Sequence, residues 1–176
     1  VVIKAREAME YLQRSSSKIL EQYPNITWTT PNGFRVVQDY RELVSTGQVR
    51  VAVYGGAVFK YATRSRKADH RQHKNGVAPN FIHSMDASHM QRVVVKAWSE
   101  GMRSIAAIHD DFGVHAADTA RFGEIIREEF VRMYEQDNWL ARYAEGYLET
   151  GCDLGLPPEP GKLDLKQVLD SKYFFC

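Results

Sequence analysis

The chain has 176 residues, with 23 Lys and Arg against 22 Asp and Glu and a formal net charge of +1, which is long enough for one domain with a real core. Near-neutrality excludes any argument for nucleic-acid binding from a globally basic balance, so such a role must rest on local charge. No apolar run approaches membrane-spanning length, and the first residues form a charged helical pattern instead of a signal peptide, so a soluble chain without a membrane partner is expected.

From Val1 to Tyr23 apolar residues (Ile3, Ala5, Met9, Leu12, Ile19, Leu20) recur near helical period until Pro24, which predicts an amphipathic helix. The sequence opens in mid-helix style at Val1 without an initiator methionine, which points to a fragment or excised domain. Ile26–Thr30 and Phe34–Gln38 are β-rich runs around the turn triplet Pro31-Asn32-Gly33, and a hairpin is expected. A second hairpin is expected from Gln48–Tyr54 and Ala57–Thr63 around Gly55-Gly56, with a projecting tip. Arg64 to Gly76 is polar and crowded with cations, and reads as a loop. Pro79-Asn80 then opens a helix running to about Glu100.

Ser104 to Ala117 reads as strand, tight turn and strand, with His109-Asp110-Asp111 at the turn. Asp118 is placed to cap a helix with the core stripe Phe122, Ile126, Phe130 and Met133 or Tyr134; Asn138 is placed to cap another through Trp139, Tyr143 and Tyr147. Gly151 to Lys162 is a loop, and a short helix around Leu163–Leu169 precedes the aromatic end Tyr173-Phe174-Phe175-Cys176. Neither Cys152 nor Cys176 has metal-ligand spacing around it, and a reducing environment is the simpler expectation.

Three stretches carry chemistry. Ile108-His109-Asp110-Asp111-Phe112-Gly113 puts paired carboxylates at the turn of an apolar hairpin. One or two carboxylates on a rigid turn suit magnesium, which leaves its other positions to water and phosphate oxygens. A solvated turn is the plainer reading of the dipeptide, because Asp is a favoured turn residue. In the helix, His83 and Asp86 share a face while His89 lies some way round. That spacing is poor for zinc, and a polar face with hydrogen-bonded histidines is the plainer reading. The cations Arg64, Arg66, Lys67, Arg71 and Lys74 can neutralise phosphates or simply be solvated.

Taken jointly, Gly76-Val77-Ala78-Pro79-Asn80-Phe81-Ile82-His83-Ser84-Met85-Asp86-Ala87-Ser88-His89 and, some twenty residues on, Ile108-His109-Asp110-Asp111-Phe112-Gly113 resemble the carboxy-terminal signature of the single-subunit RNA polymerases of phages and mitochondria. The resemblance extends upstream through Trp28-Thr29-Thr30-Pro31-Asn32-Gly33-Phe34 and downstream to Tyr173-Phe174-Phe175. It implies an α+β chain forming part of a right-hand polymerase fold, in the palm and fingers region, with helices packed around β-hairpins. Asp110 falls on the second catalytic aspartate and a metal ligand, His109 precedes it, and His83 matches a histidine near the nascent base pair. The hairpin of about 48–63 corresponds in position to a promoter-reading loop, but its residues diverge and no base contacts carry over. The aromatic end matches a tail packed near the active site, with Cys176 a local departure.

The implied activity is template-directed RNA synthesis with two Mg2+ ions. Its partners would be DNA template and promoter, nascent RNA, nucleoside triphosphates and the amino-terminal part of the polymerase. The expected location is the cytoplasm of a bacterial host of a phage or prophage, or a mitochondrion. The family's first catalytic aspartate and its nucleotide-binding helix have no counterpart here, so the isolated chain is expected to be inactive. Two other readings compete: a non-catalytic nucleic-acid-binding module, and a metal-dependent hydrolase using His83, Asp86 and Asp110.

Overall fold

Ile3–Gln22 forms the helix α1, but its buried face begins only at Tyr11 and continues through Leu12, Ser15, Ser16, Ile19 and Leu20. Ile3, Ala5 and Met9, expected in the stripe, are exposed. The computed structural model describes residues 3–108 and 110–174. His109, Phe175 and Cys176, singled out above, lie outside the described residues.

The strands β1 (Ile26–Thr29) and β2 (Arg35–Gln38) pair antiparallel from Ile26↔Gln38 to Thr29↔Arg35. Their turn is fastened to the long helix that follows: Asn32 donates to the Ser88 carbonyl at 3.0 Å and accepts from Arg92 Nε at 2.9 Å. The next hairpin is longer than its sequence signal. β3 covers Arg41–Val51 and β4 covers Ala57–Ala68, paired antiparallel with register shifts near Leu43. Strand pairing ends at Val51↔Ala57, so Ala52–Tyr54, expected in the strand, form a 3-10 turn, and Gly55 and Gly56 complete the connection at positive φ, 67° and 80°, without a Cβ penalty. Beside them the tip projects: Val53 is 90% and Tyr54 71% exposed.

The stretch read as a cationic loop is not one. Arg64, Arg66 and Lys67 lie on β4, while Arg71 and Lys74 lie in the first turns of α2, which spans His70–Ser99. Asp69 alone separates the two elements and caps the helix. Its carboxylate accepts from the Gln72 backbone N–H at 2.9 Å and from the Gln72 side chain at 2.8 Å. This cap nucleates the helix nine residues before Pro79, which therefore sits inside α2 and does not open it. A proline there forfeits a backbone bond at a cost of about 3 kcal/mol. Burial of Val77, Ala78 and Phe81 on either side of it offsets that cost.

β5 (Ile105–Ile108) and β6 (Asp111–Val114) form the third hairpin. α3 spans Thr119–Gln136 and α4 spans Trp139–Leu148. Asn138 caps α4 through Ala141 N at 3.2 Å. Asp118 stands at the start of α3 but makes no side-chain capping bond, because its own backbone is already helical at φ −94°, ψ −12°. Within α3, Phe122, Ile125, Ile126, Val131 and Met133 are buried while Phe130 and Tyr134 are only partly so. The short helix near the end is a 3-10 turn, Leu165–Val168.

The described residues thus form a mixed α+β chain of helices around three two-stranded antiparallel sheets. There are two cores. One joins α1, β1, the first half of α2 and α4 through Leu12, Ile19, Ile26, Trp28, Val77, Phe81, Met85, Tyr143 and Tyr147. The other joins the second half of α2 to α3 through Val93, Ala97, Phe122, Ile125 and Ile126, and the third hairpin seats Ile105, Phe112 and Val114 on it. α2 runs through both, so it sets how the third hairpin stands relative to the rest.

Candidate active-site surface

Ile108 and Asp111 are the last paired residues of the third hairpin, and Asp110 lies at the turn between its strands. Ladder alternation puts Ala107 and Phe112 on one face and Ile108 and Asp111 on the other. The first face is anchored: Phe112 meets Phe122 edge-on at 5.5 Å. The second is open, with Ala106, Asp111 and Gly113 exposed and Ile108 71% exposed. Asp110 is exposed at the turn between them.

His83 is exposed on α2 and Asp86 is exposed one turn further on, while the residues between face inward. Ser84 accepts from Trp28 Nε1 at 2.9 Å and donates to the Phe81 carbonyl at 2.7 Å. Met85 is in the core. His89 is buried, 4% exposed, with its Nε2 2.9 Å from the Ile126 carbonyl, so it ties α2 to α3. Burial pushes its pKa down from the usual histidine value, against that hydrogen bond. Burial pushes the Tyr134 hydroxyl up to about 12, and the charge of Asp86 acts in the same direction.

Among the described residues no three His, Cys, Asp or Glu side chains come together as a metal site. The hydrolase reading with His83, Asp86 and Asp110 as one ligand set is therefore not supported by geometry. Asp110 fits magnesium as one arm of a site: a hard, exposed oxygen donor at a turn, suited to an ion that binds few carboxylates.

The five cations are divided between two elements. Arg64 Nη1 donates to the Arg41 carbonyl at 3.3 Å, and Arg41 Nη1 donates back to the Arg66 carbonyl at 2.6 Å. Arg71 and Lys74 are exposed three residues apart on α2. On the hairpin the pairing Gln48↔Lys60 and Arg50↔Val58 groups Gln48, Arg50 and Lys60 on one face; Val49↔Phe59 and Gly47↔Tyr61 make the opposite face apolar.

A buried polar cluster escaped the sequence reading. His73 is fully buried, with Nδ1 3.1 Å from Gln38 Nε2 and Nε2 3.1 Å from the Tyr40 carbonyl. Nε2 also lies 3.1 Å from the Tyr40 backbone nitrogen, so the roles of the ring nitrogens follow the tautomer, and burial lowers the pKa of His73. Gln38 accepts in turn from Asn80 at 2.8 Å. The missed signal was Asp69-His70-Arg71-Gln72, a cap-and-partner pattern that puts His73 on a helix.

Comparison with known proteins identifies the family. A family model for DNA-dependent RNA polymerase matches residues 1–153, and the chain belongs to that family. The DNA-directed RNA polymerase of Pseudomonas phage phiKMV is 36% identical over 172 residues, covering 96% of this chain but 20% of the phage protein. The mitochondrial DNA-directed RNA polymerase 1 of Nicotiana sylvestris is 33% identical over 97% of this chain and 17% of its own length. A shorter relative, DNA-directed RNA polymerase 1A of Nicotiana tabacum, is 34% identical over 89% of this chain and 97% of itself. The chain thus spans about a fifth of the length of the phage and organellar relatives it matches.

Proposed function

We propose that this chain is the carboxy-terminal catalytic segment of a single-subunit DNA-dependent RNA polymerase, contributing palm and fingers elements, and that it extends RNA only together with the rest of the polymerase. The observation that carries the reading is Asp110 at the turn of a hairpin anchored to the α2–α3 core, within a chain whose family match covers 1–153. Asp110 would hold one Mg2+ and His109 would stand beside it in sequence. Magnesium there would lower the pKa of the attacking RNA 3′-hydroxyl and offset charge on the departing pyrophosphate. His83, exposed on α2, borders the nascent base pair. The cationic face of the β3–β4 hairpin approaches promoter DNA, while Arg64, Arg66, Lys67, Arg71 and Lys74 neutralise backbone phosphates.

Substrates are the nucleoside triphosphates, and the open face of the third hairpin is covered by the amino-terminal part of the polymerase. Among the described residues no helix is long and apolar enough to cross a membrane. The setting is the cytoplasm of a phage-bearing bacterium or a mitochondrion, since the relatives include polymerases of both kinds.

The test is nucleotide incorporation on a primed template at saturating magnesium by the full-length polymerase carrying Asp110→Asn or Asp111→Ser. Asp111 lies on the hairpin's open face beside Ile108, displaced from the turn. Loss of Asp110 as a ligand raises the barrier by several kcal/mol, each 1.36 kcal/mol being tenfold in rate. Asp111→Ser costs far less. A dead Asp111→Ser enzyme beside an active Asp110→Asn enzyme reverses the assignment.

A further inference from the structure

The β3–β4 hairpin leaves the body at Tyr40 and returns at Asp69, and these two residues are joined: the Asp69 backbone N–H donates to the Tyr40 carbonyl at 2.9 Å. The Tyr40 ring lies along α2. It meets the His73 ring edge-on with centroids 5.3 Å apart, and its hydroxyl accepts from Asn80 Nδ2 at 3.0 Å. Between those contacts is Gly76, where an added Cβ would stand 2.9 Å from Tyr40 Cε2 and 3.3 Å from its hydroxyl. Glycine disfavours a helix interior, yet any larger residue here would require this ring to shift.

Residues 73, 76, 80 and 83 are spaced three, four and three apart, so they form one stripe on α2. The root of the hairpin therefore sits on the stripe that carries His83. Gly76 and His83 are seven positions apart, about 10 Å along the axis. The hairpin itself is exposed along nearly its whole length, so among the described residues its direction is set at this root.

We propose that Tyr40 is a positioning residue: seated on Gly76 and held by Asn80, it fixes the angle at which the β3–β4 hairpin leaves the α2 stripe that carries His83, and so registers promoter engagement with the point at which RNA synthesis starts. The inference rests on the polymerase reading above. It requires no contact between Tyr40 and nucleic acid.

Gly76→Ala forces the ring off its seat, whereas Tyr40→Phe keeps the ring and removes only the hydroxyl bond to Asn80. Each is made in the full-length polymerase and assayed in two ways. One assay is extension of an annealed RNA primer on a DNA template, which needs no promoter. The other is transcription of the source genome's own duplex DNA, with transcript 5′ ends mapped by sequencing. Thermal unfolding is measured alongside.

The expected result for Gly76→Ala is a tenfold or greater loss of transcripts at the wild-type 5′ ends, with primer extension within twofold of wild type. Tyr40→Phe shows a smaller loss of the same kind and decides the matter if Gly76→Ala does not fold. Equal loss in both assays, tracking a fall in thermal stability, makes Tyr40 a merely structural residue and overturns the proposal. So do unchanged 5′ ends in both variants. Wild-type enzyme that extends no primer overturns the polymerase reading itself, a distinguishable outcome.

Discussion

Replacing Phe81 by Ala separates packing from function within the motif Pro79-Asn80-Phe81-Ile82-His83. Phe81 is 4% exposed and meets Tyr143 at 5.7 Å and Trp28 at 6.0 Å, near the centre of the first core. Removing a buried phenyl ring costs its transfer energy plus the cavity left behind, about 3–5 kcal/mol. With a urea m-value of about 2 kcal/mol per molar, the unfolding midpoint falls by roughly 2 M. The rigid aromatic neighbours cannot collapse into the space, which places the cost toward the upper end. His83, two residues on, is exposed, so His83→Ala stays within about 0.5 kcal/mol.

The assay is urea unfolding followed by tryptophan fluorescence, combined with single-nucleotide extension per folded molecule in the full-length enzyme. Phe81→Ala shifts the midpoint and leaves extension per folded molecule nearly intact. His83→Ala leaves the midpoint and slows extension or lowers fidelity. A large midpoint shift for His83→Ala with normal extension per folded molecule makes it a core histidine and refutes the reasoning.

Asp69→Ala removes the cap of α2 and costs about 1 kcal/mol, read as a lower urea midpoint; no change would mean the helix start is held by packing alone. His73 and His89 both have folded pKa values below that of the unfolded chain. The unfolded state then takes up protons first, so stability is complete above about pH 6.5 and is lost as pH falls from there through the folded values. Midpoints measured from pH 8 to pH 5 should show that fall, and a flat profile would contradict it. Neutralising Arg64, Arg66 and Lys67 together should reduce the log–log salt slope of duplex DNA binding by about 0.9 for each phosphate that no longer has a cation beside it. Arg71 and Lys74 on α2 should keep part of the slope, and an unchanged slope and affinity would remove β4 from the interface.

Local chemistry by itself determined the turns, several caps and the order of the motifs. Pro31-Asn32-Gly33 and Gly55-Gly56 marked two hairpins, Asn138 marked the start of α4, and Asp110 fell at a turn because polar residues interrupt an apolar run. Local chemistry offered two starts for α2, at Asp69 and at Pro79, and the tertiary structure decided between them. The proline signal at Pro79 is strong locally, but a cap at Asp69 worth about 1 kcal/mol, together with buried Val77, Ala78 and Phe81 at about 1.5–3 kcal/mol for each large side chain, outweighs it. That one shift turned an expected basic loop into the end of a strand and the start of a helix, and moved His73 from solvent into a buried polar cluster. It also set the Tyr40 seat on Gly76, which brings together residues 36 apart in sequence. No periodicity encodes that seat, because it exists only once β2, the hairpin root and α2 have packed together.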